Sequence, residues 1–235
     1  MQIDVLICAA GQGKRMGLGH NKLFLALEGI PVLVHTLKVW EKHERIRNIV
    51  LVVSQDDQKQ ITAMIETFKL TKVCKLVIGG AERQESVCNG LLSYAPDSQP
   101  DMVLIHDGAR PFIHPEEIDQ VILATERDRA ALLAAPVKDT IKQADKSLII
   151  EKTLDRSKLW AIQTPQSFFY KDIVQAHLKA KEEGILATDD AALIERLGYP
   201  IRIVQGSYHN IKLTTPEDID LAEFILQKRR QKDGI

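Results

Sequence analysis

Short, almost uninterrupted apolar runs at residues 3–10, 46–53, 73–78, 102–106 and 131–137 set the strongest limit on how this 235-residue chain folds. Four of the five combine β-branched residues with continuous hydrophobicity, the pattern of parallel strands covered on both faces. Helical stripes lie between them. Leu33, Leu37 and Trp40 recur at i, i+4 and i+7 after Pro31, which a first helical turn tolerates, and Ile118, Val121 and Ile122 form a second stripe after Pro115. Strand and helix alternating in this way predict one three-layer α/β domain spanning residues 1–235, with a predominantly parallel sheet and right-handed crossovers. Further helices are expected near residues 171–183 and 189–197 and a strand at 201–204. A last helix is expected to open with Thr215 as N-cap and Pro216 in its first turn, with Glu217 and Asp218 near its positive end and Lys228, Arg229 and Arg230 near its negative end.

Residues 137–164 break the rhythm. They are charged, lack a long helical stripe and carry the apolar triplet Leu148, Ile149 and Ile150. A β-arm projecting from a compact domain cannot bury such a triplet alone, so this stretch points to a partner subunit. Composition narrows the rest. With 45% apolar and 27% charged residues the chain has the balance of an ordinary globular protein. Its 31 basic and 32 acidic residues give a net charge of −1, which excludes an extended nucleic-acid surface and leaves room only for a local anion site. No apolar stretch reaches membrane length and no secretion signal is read at the N-terminus. Cys8, Cys74 and Cys88 form no zinc spacing and read as small buried residues of a protein in the reducing cytoplasm. The histidines show no HExxH spacing, and His106 reads as structural.

The first apolar run ends in Ala9-Ala10-Gly11-Gln12-Gly13-Lys14-Arg15-Met16-Gly17, followed by Asn21-Lys22. Small residues there let backbone N–H groups approach an anion. The dinucleotide fingerprint requires glycine where the chain has Met16, and no acidic residue closes the second run. The P-loop pattern is absent as well. A glycine turn with the cations Lys14, Arg15 and Lys22 remains, and it reads as a nucleoside-triphosphate site.

That opening resembles the nucleotidyltransferases that activate sugar phosphates. Further motifs follow in order: residues 79–87 (GGAERQESV), 106–111 (HDGARP), 136–140 (PVKDT), Asp155-Arg156 with Leu159-Trp160, 163–166 (QTPQ), 188–191 (TDDA) and 210–214 (NIKLT). Together they resemble the 2-C-methyl-D-erythritol 4-phosphate cytidylyltransferase family of the non-mevalonate isoprenoid pathway over nearly the whole chain. The resemblance implies a Rossmann-like nucleotidyltransferase domain whose arm, at about 137–164, clasps a second subunit. It also implies transfer from CTP with Mg²⁺. One departure is that positions 81 and 82 are Ala and Glu where some members have Gly-Asp or Asp-Glu. Backbone groups are expected to read the base there, so the departure carries little weight. The rival within the same chemistry is a ribitol-5-phosphate cytidylyltransferase.

For such a transfer, an acceptor phosphate oxygen attacks the α-phosphorus of CTP while pyrophosphate departs. Fixed positive charge and alignment matter more than a covalent nucleophile. The resemblance assigns Arg15 and Lys22 to the CTP phosphates and Arg156 and Lys212 to the acceptor phosphate. Thr140 and Arg156 would reach across the dimer from the arm, with Thr188 and Arg110 nearby. Ala9, Ala10, Gly11 and Gly13 are expected to give backbone contacts and room, with Gly80, Ala81 and Ser86 on the cytosine side. Ser86 reads either as a base-contacting hydroxyl or as a helix-start residue. Asp107, at a strand end, reads as a contact to Mg²⁺ or substrate, or as the structural partner of Arg110.

Overall fold

In a computed structural model, which describes residues 1–11 and 21–233, the apolar runs become the strands of one seven-stranded sheet. The elements follow in chain order: β1 (Ile3–Ala9), a small hairpin of β2 (Ala26–Leu27) and β3 (Ile30–Pro31), α1 (Val32–Lys42), β4 (Asn48–Val53), α2 (Gln58–Thr67), β5 (Val73–Ile78) and α3 (Arg83–Leu92). Then come β6 (Met102–Asp107), α4 (Pro115–Asp128), β7 (Ala130–Pro136), β8 (Lys142–Ala144), β9 (Ile150–Thr153), β10 (Trp160–Phe169), α5 (Tyr170–Glu182), α6 (Asp190–Arg196), β11 (Arg202–Gln205) and α7 (Glu217–Asp233). The sheet order is β11-β7-β10-β6-β1-β4-β5, and every neighbouring pair is parallel except the two that involve β10.

Two apolar layers cover the sheet because alternate residues of each strand point to opposite faces. Val5 and Ile7 pack with Leu33, Trp40, Ile118 and Ile225 on the side of α1, α4 and α7. Leu6 packs with Val87, Leu91, Ile105, Phe168 and Ile173 on the side of α3 and α5. The predicted stripes are buried: Leu33, Leu37, Trp40, Ile118, Val121 and Ile122 are all at most 1% exposed.

Two helices that the sequence pattern leaves unannounced, α2 and α3, complete the layers, and β10 is the largest departure from expectation. Its first residues pair with β7, Trp160 with Pro136 and Ile162 with Ala134, so residues 160–164 belong to the sheet. The segment standing clear of the sheet is therefore shorter than 137–164. It carries the β8/β9 hairpin, all seven residues of which are exposed, and Leu148, Ile149 and Ile150 at 86%, 65% and 60% exposure. The start of the last helix agrees with Thr215 as its cap and Pro216 in its first turn. The backbone N–H groups of Thr214 and Thr215 both donate to the Asp218 carboxylate, which reaches back from the first turn of α7.

One acidic residue sits inside the first apolar run. Asp4 is fully buried, and Arg47 binds it with both edges of the fork, Nε to Oδ1 at 2.9 Å and Nη2 to Oδ2 at 2.8 Å. Removing the arginine would strand a buried carboxylate beside the central strand. We expect Arg47→Ala to lower unfolding stability by about 3 kcal/mol in urea titrations at neutral pH, and Arg47→Lys to recover only part of that. A loss below about 0.5 kcal/mol would show that Asp4 finds water instead.

Candidate active site

The chain leaves β1 toward one edge of the sheet through β4 and β5, then returns to the other side of β1 as β6. That reversal opens a crevice at the carboxyl ends of β1 and β6, where open α/β sheets place ligands. A cavity of about 590 Å³ occupies it. A larger groove of about 790 Å³ lies elsewhere, between Leu92 and α5, away from those strand ends.

Three backbone segments form the floor. Cys8, Ala10 and Gly11 come from the end of β1. A Cβ on Gly11 would meet nothing within 4 Å among the described residues. Ala9 instead points into the core beneath α1, at 1% exposure, which leaves its backbone as the part able to serve a ligand. Gly80, Ala81 and Ser86 line the cavity from the turn that opens α3. The Gly80 N–H donates to Ser86 Oγ at 3.0 Å and the Ala81 N–H to Glu85 Oε2 at 2.8 Å, so side chains of the first helical turn hold the loop. Gly79 is fixed by packing, since a Cβ there would lie 2.6 Å from that of Ala10. Ser86 is thus both a helix-start residue and a wall of the cavity.

Lys22 lines the cavity from a short 3-10 turn, Lys22–Phe24. Asn21 caps that turn by accepting the Leu23 N–H, and its amide donates to Asp57, which Ser54 also holds. Gly13 and Arg15 lie outside the described residues.

The opposite wall is electrostatic. Asp107, 6% exposed at the end of β6, faces Lys212 Nζ at 3.0 Å, Arg110 Nε at 3.1 Å and Arg83 Nε at 3.7 Å. Burial alone would raise its pKa. The cations Lys212, Arg83 and Arg110 outweigh burial and hold the carboxyl well below the usual carboxylate range. Arg110 is itself 9% exposed, with Nη1 donating to the Asn210 carbonyl at 2.7 Å, so it braces Asp107 and the 210–214 loop rather than lining the cavity. The Leu213 N–H donates to the Ala109 carbonyl and Asn210 Nδ2 to the Thr164 carbonyl, which completes the mounting of Lys212.

A metal held by this carboxylate does not fit. Asp107 Oδ2 already meets two cations and Oδ1 faces a third, leaving no anionic face for a divalent ion. Among the described residues no group of three or more His, Cys, Asp or Glu is placed to hold a metal.

Two potential nucleophiles beside the cavity are also disarmed. His106 is fully buried, with Nδ1 on Thr164 Oγ1 at 3.0 Å and Nε2 on the Arg110 carbonyl at 3.1 Å. The Arg110 carbonyl can only accept, so Nε2 carries the ring's single proton, and Thr164 Oγ1, which accepts the Asp107 N–H, donates its own proton to Nδ1. Burial pushes the His106 pKa down to about 4. Burial likewise pushes the Cys8 thiol up to about 12, despite Arg83 nearby.

Thr140, Arg156 and Thr188 are exposed and do not line this cavity. Arg156 donates to the Lys138 carbonyl at the base of the arm. Arg83, by contrast, has no role assigned from its motif at residues 79–87, yet it lines the cavity and pairs with both Asp107 and Asp190. An arginine three residues after the Gly79-Gly80 pair is the available sequence signal.

Because the carboxyl of Asp107 titrates below its unfolded value, its pairs stabilise the fold above pH ~4 and lose that effect as the pH falls further. Urea titrations of wild type and Asp107→Asn are expected to differ by a constant amount from about pH 8 to pH 5 and to draw together progressively below about pH 4, converging only in strong acid, once the pH has passed the depressed pKa of the folded carboxyl. A difference that persists unchanged into acid would contradict the ion-pair assignment.

The chain matches the family model for 2-C-methyl-D-erythritol 4-phosphate cytidylyltransferase over residues 3–228. A protein of that name from Bacillus velezensis is 49% identical over 228 residues, covering 97% of each chain. One from Halalkalibacterium halodurans is 48% identical over 232 residues, covering 99% of this chain and 100% of the other. Among solved structures, 4-diphosphocytidyl-2C-methyl-D-erythritol synthase from Anaerococcus prevotii superposes with a TM-score of 0.85 at 33% identity, covering 96% of each chain. 2-C-methyl-D-erythritol 4-phosphate cytidylyltransferase from Thermus thermophilus gives 0.79 at 31%, covering 97% of this chain and 100% of the other.

Proposed function

The chain belongs to the 2-C-methyl-D-erythritol 4-phosphate cytidylyltransferase family, and from that premise we propose how its residues share out the reaction. The enzyme joins CTP and 2-C-methyl-D-erythritol 4-phosphate to give 4-diphosphocytidyl-2-C-methyl-D-erythritol and pyrophosphate, a step of isoprenoid precursor synthesis. The ribitol 5-phosphate alternative is not favoured. The observation that carries the mechanism is the cationic wall at Asp107, opposite a glycine-lined floor.

In this division of labour, the turn at Gly80, Ala81 and Ser86 receives the cytosine and the end of β1 admits the ribose and phosphates. Lys22 and Arg15 neutralise the triphosphate as charge builds on the α-phosphate. Lys212 and Arg156 take the acceptor phosphate, because two anionic substrates repel as they approach unless each has its own cations. Arg110 acts through Asp107. Magnesium, implied by the family resemblance, is assigned to the triphosphate of CTP, since Mg²⁺ is commonly held through substrate phosphates.

Arg156 and Thr140 sit on or beside an arm whose apolar tip is exposed, while Lys212 lies in the cavity. A homodimer in which each arm reaches the partner's cavity brings these groups together and covers Leu148, Ile149 and Ile150. No helix among the described residues is long and apolar enough to cross a membrane, and the three cysteines are free. A cytoplasmic location is in keeping with both.

Pyrophosphate release from CTP and Mg²⁺ is expected to be fast with 2-C-methyl-D-erythritol 4-phosphate and at least about 100-fold slower with ribitol 5-phosphate, the scale on which a site discriminates related substrates. Comparable kcat/KM values would overturn the acceptor assignment. For the dimer, mixing inactive Arg15→Ala and Arg156→Ala subunits is expected to restore up to about a quarter of wild-type activity, because some heterodimers regain one complete site. An active enzyme that stays monomeric in light scattering would rule out the shared site.

A further inference from the structure

Arg83 is mounted more elaborately than a surface arginine requires. It opens α3, and its Nη2 lies 2.7 Å from Asp190 Oδ2 while its Nε faces Asp107 Oδ1 at 3.7 Å. Asp190 is 1% exposed, and its other oxygen meets His177 Nε2 at 3.2 Å, also within the protein. The mounting continues into the backbone. Gln166 of β10 donates to the Asp189 carboxylate and accepts the Ala191 N–H, so the residues on either side of Asp190 are clamped to the sheet, one by its side chain and one by its backbone. Gln84, next to Arg83, donates to the Ile185 carbonyl and accepts the Ala187 N–H. The turn 79–86 and the segment 185–191 thus form one rigid block around the guanidinium.

A purely structural network would balance its charges and bury them. Here Arg83, Arg110 and Lys212 face the two carboxylates Asp107 and Asp190, leaving an excess of positive charge. The arginine side chain also keeps 30% of its surface on the cavity wall, between the Gly80–Ala81 turn and Lys212. A planar fork held at its Nε–Nη2 edge, by Asp190 with Asp107 close by, and partly open to a cavity is suited to phosphate or ribose oxygens.

We infer that Arg83 is a nucleotide-binding residue of the cavity and that Asp190, backed by His177, is the positioning residue that aims it. The inference rests on the transferase assignment above and adds residues that it leaves without a role. Asp190 touches no substrate. It acts by keeping the guanidinium from swinging wholly onto Asp107, where it would compete with Lys212.

Binding of CTP with Mg²⁺, measured by titration calorimetry without acceptor, separates this role from a structural one. Arg83→Gln is expected to weaken CTP about 10–100-fold, the range of one charge-assisted hydrogen bond. Asp190→Asn is expected to weaken it about 3–10-fold, a fraction of that interaction. The double variant should bind within about twofold of Arg83→Gln alone, because residues acting through one another are not additive. Unchanged CTP binding by Arg83→Gln would overturn the inference, and so would an Asp190→Asn loss that persists in full in the Arg83→Gln background. If Asp190→Asn does not fold, Asp190→Glu takes its place in the same cycle, since it keeps the charge and displaces the guanidinium. Wild-type turnover of CTP with 2-C-methyl-D-erythritol 4-phosphate is the control. Its failure would remove the transferase assignment, whereas its success with an additive cycle would remove this inference alone.

Discussion

The buried carboxylate of Asp107 is the contact on which the site depends. It gathers Arg83, Arg110 and Lys212, three cations from distant parts of the chain, to within 4 Å. Without an anion between them, such charges in a partly dry crevice would repel one another strongly. With it they are held in place, and the loop from Asn210 to Thr214 is pinned against the end of β6. The strand order explains why this happens where it does. Asp107 ends β6 beside Cys8, the point where the sheet reverses its winding, so Arg83 and Lys212 line the same cavity as the end of β1.

On the proposed mechanism, fixed charge of this kind promotes the transfer without chemistry on a protein atom. Two side chains at or beside the cavity that might form a covalent intermediate are withheld from doing so: His106 is bound at both nitrogens, and burial keeps Cys8 a protonated thiol. What is left is preorganised positive charge, whose value rises as water is excluded and charge develops on the transferring phosphate. In the proposed division of labour the backbone turn at residues 79–86 recognises the base and the cationic wall stabilises phosphate.

Much of the frame was legible. The run 73–78 became β5 without a shift in its bounds, and the stripe of Leu33, Leu37 and Trp40 became the buried face of α1. β10 escaped because Gln163, Thr164, Gln166 and Ser167 read as polar, although all four are buried. Gln163, Thr164 and Gln166 are satisfied by Ser207, His106, Asp107, Asp189 and Ala191, partners far away in sequence. The same limit hid Arg83 and Asp190, whose meaning lies in a pairing across more than a hundred residues. Motif order located Lys22, Asp107 and Lys212 in one cavity, but it did not distinguish Arg110, which braces the site, from the residues that line it.

The central claim is that alignment and fixed charge carry out a direct displacement at the α-phosphorus of CTP. Its sharpest test is the stereochemical course with a chiral α-thiophosphate analogue of CTP and 2-C-methyl-D-erythritol 4-phosphate. A single in-line attack predicts inversion of configuration in the diphosphocytidyl product. Net retention would require a nucleotidylated enzyme intermediate and would contradict the account.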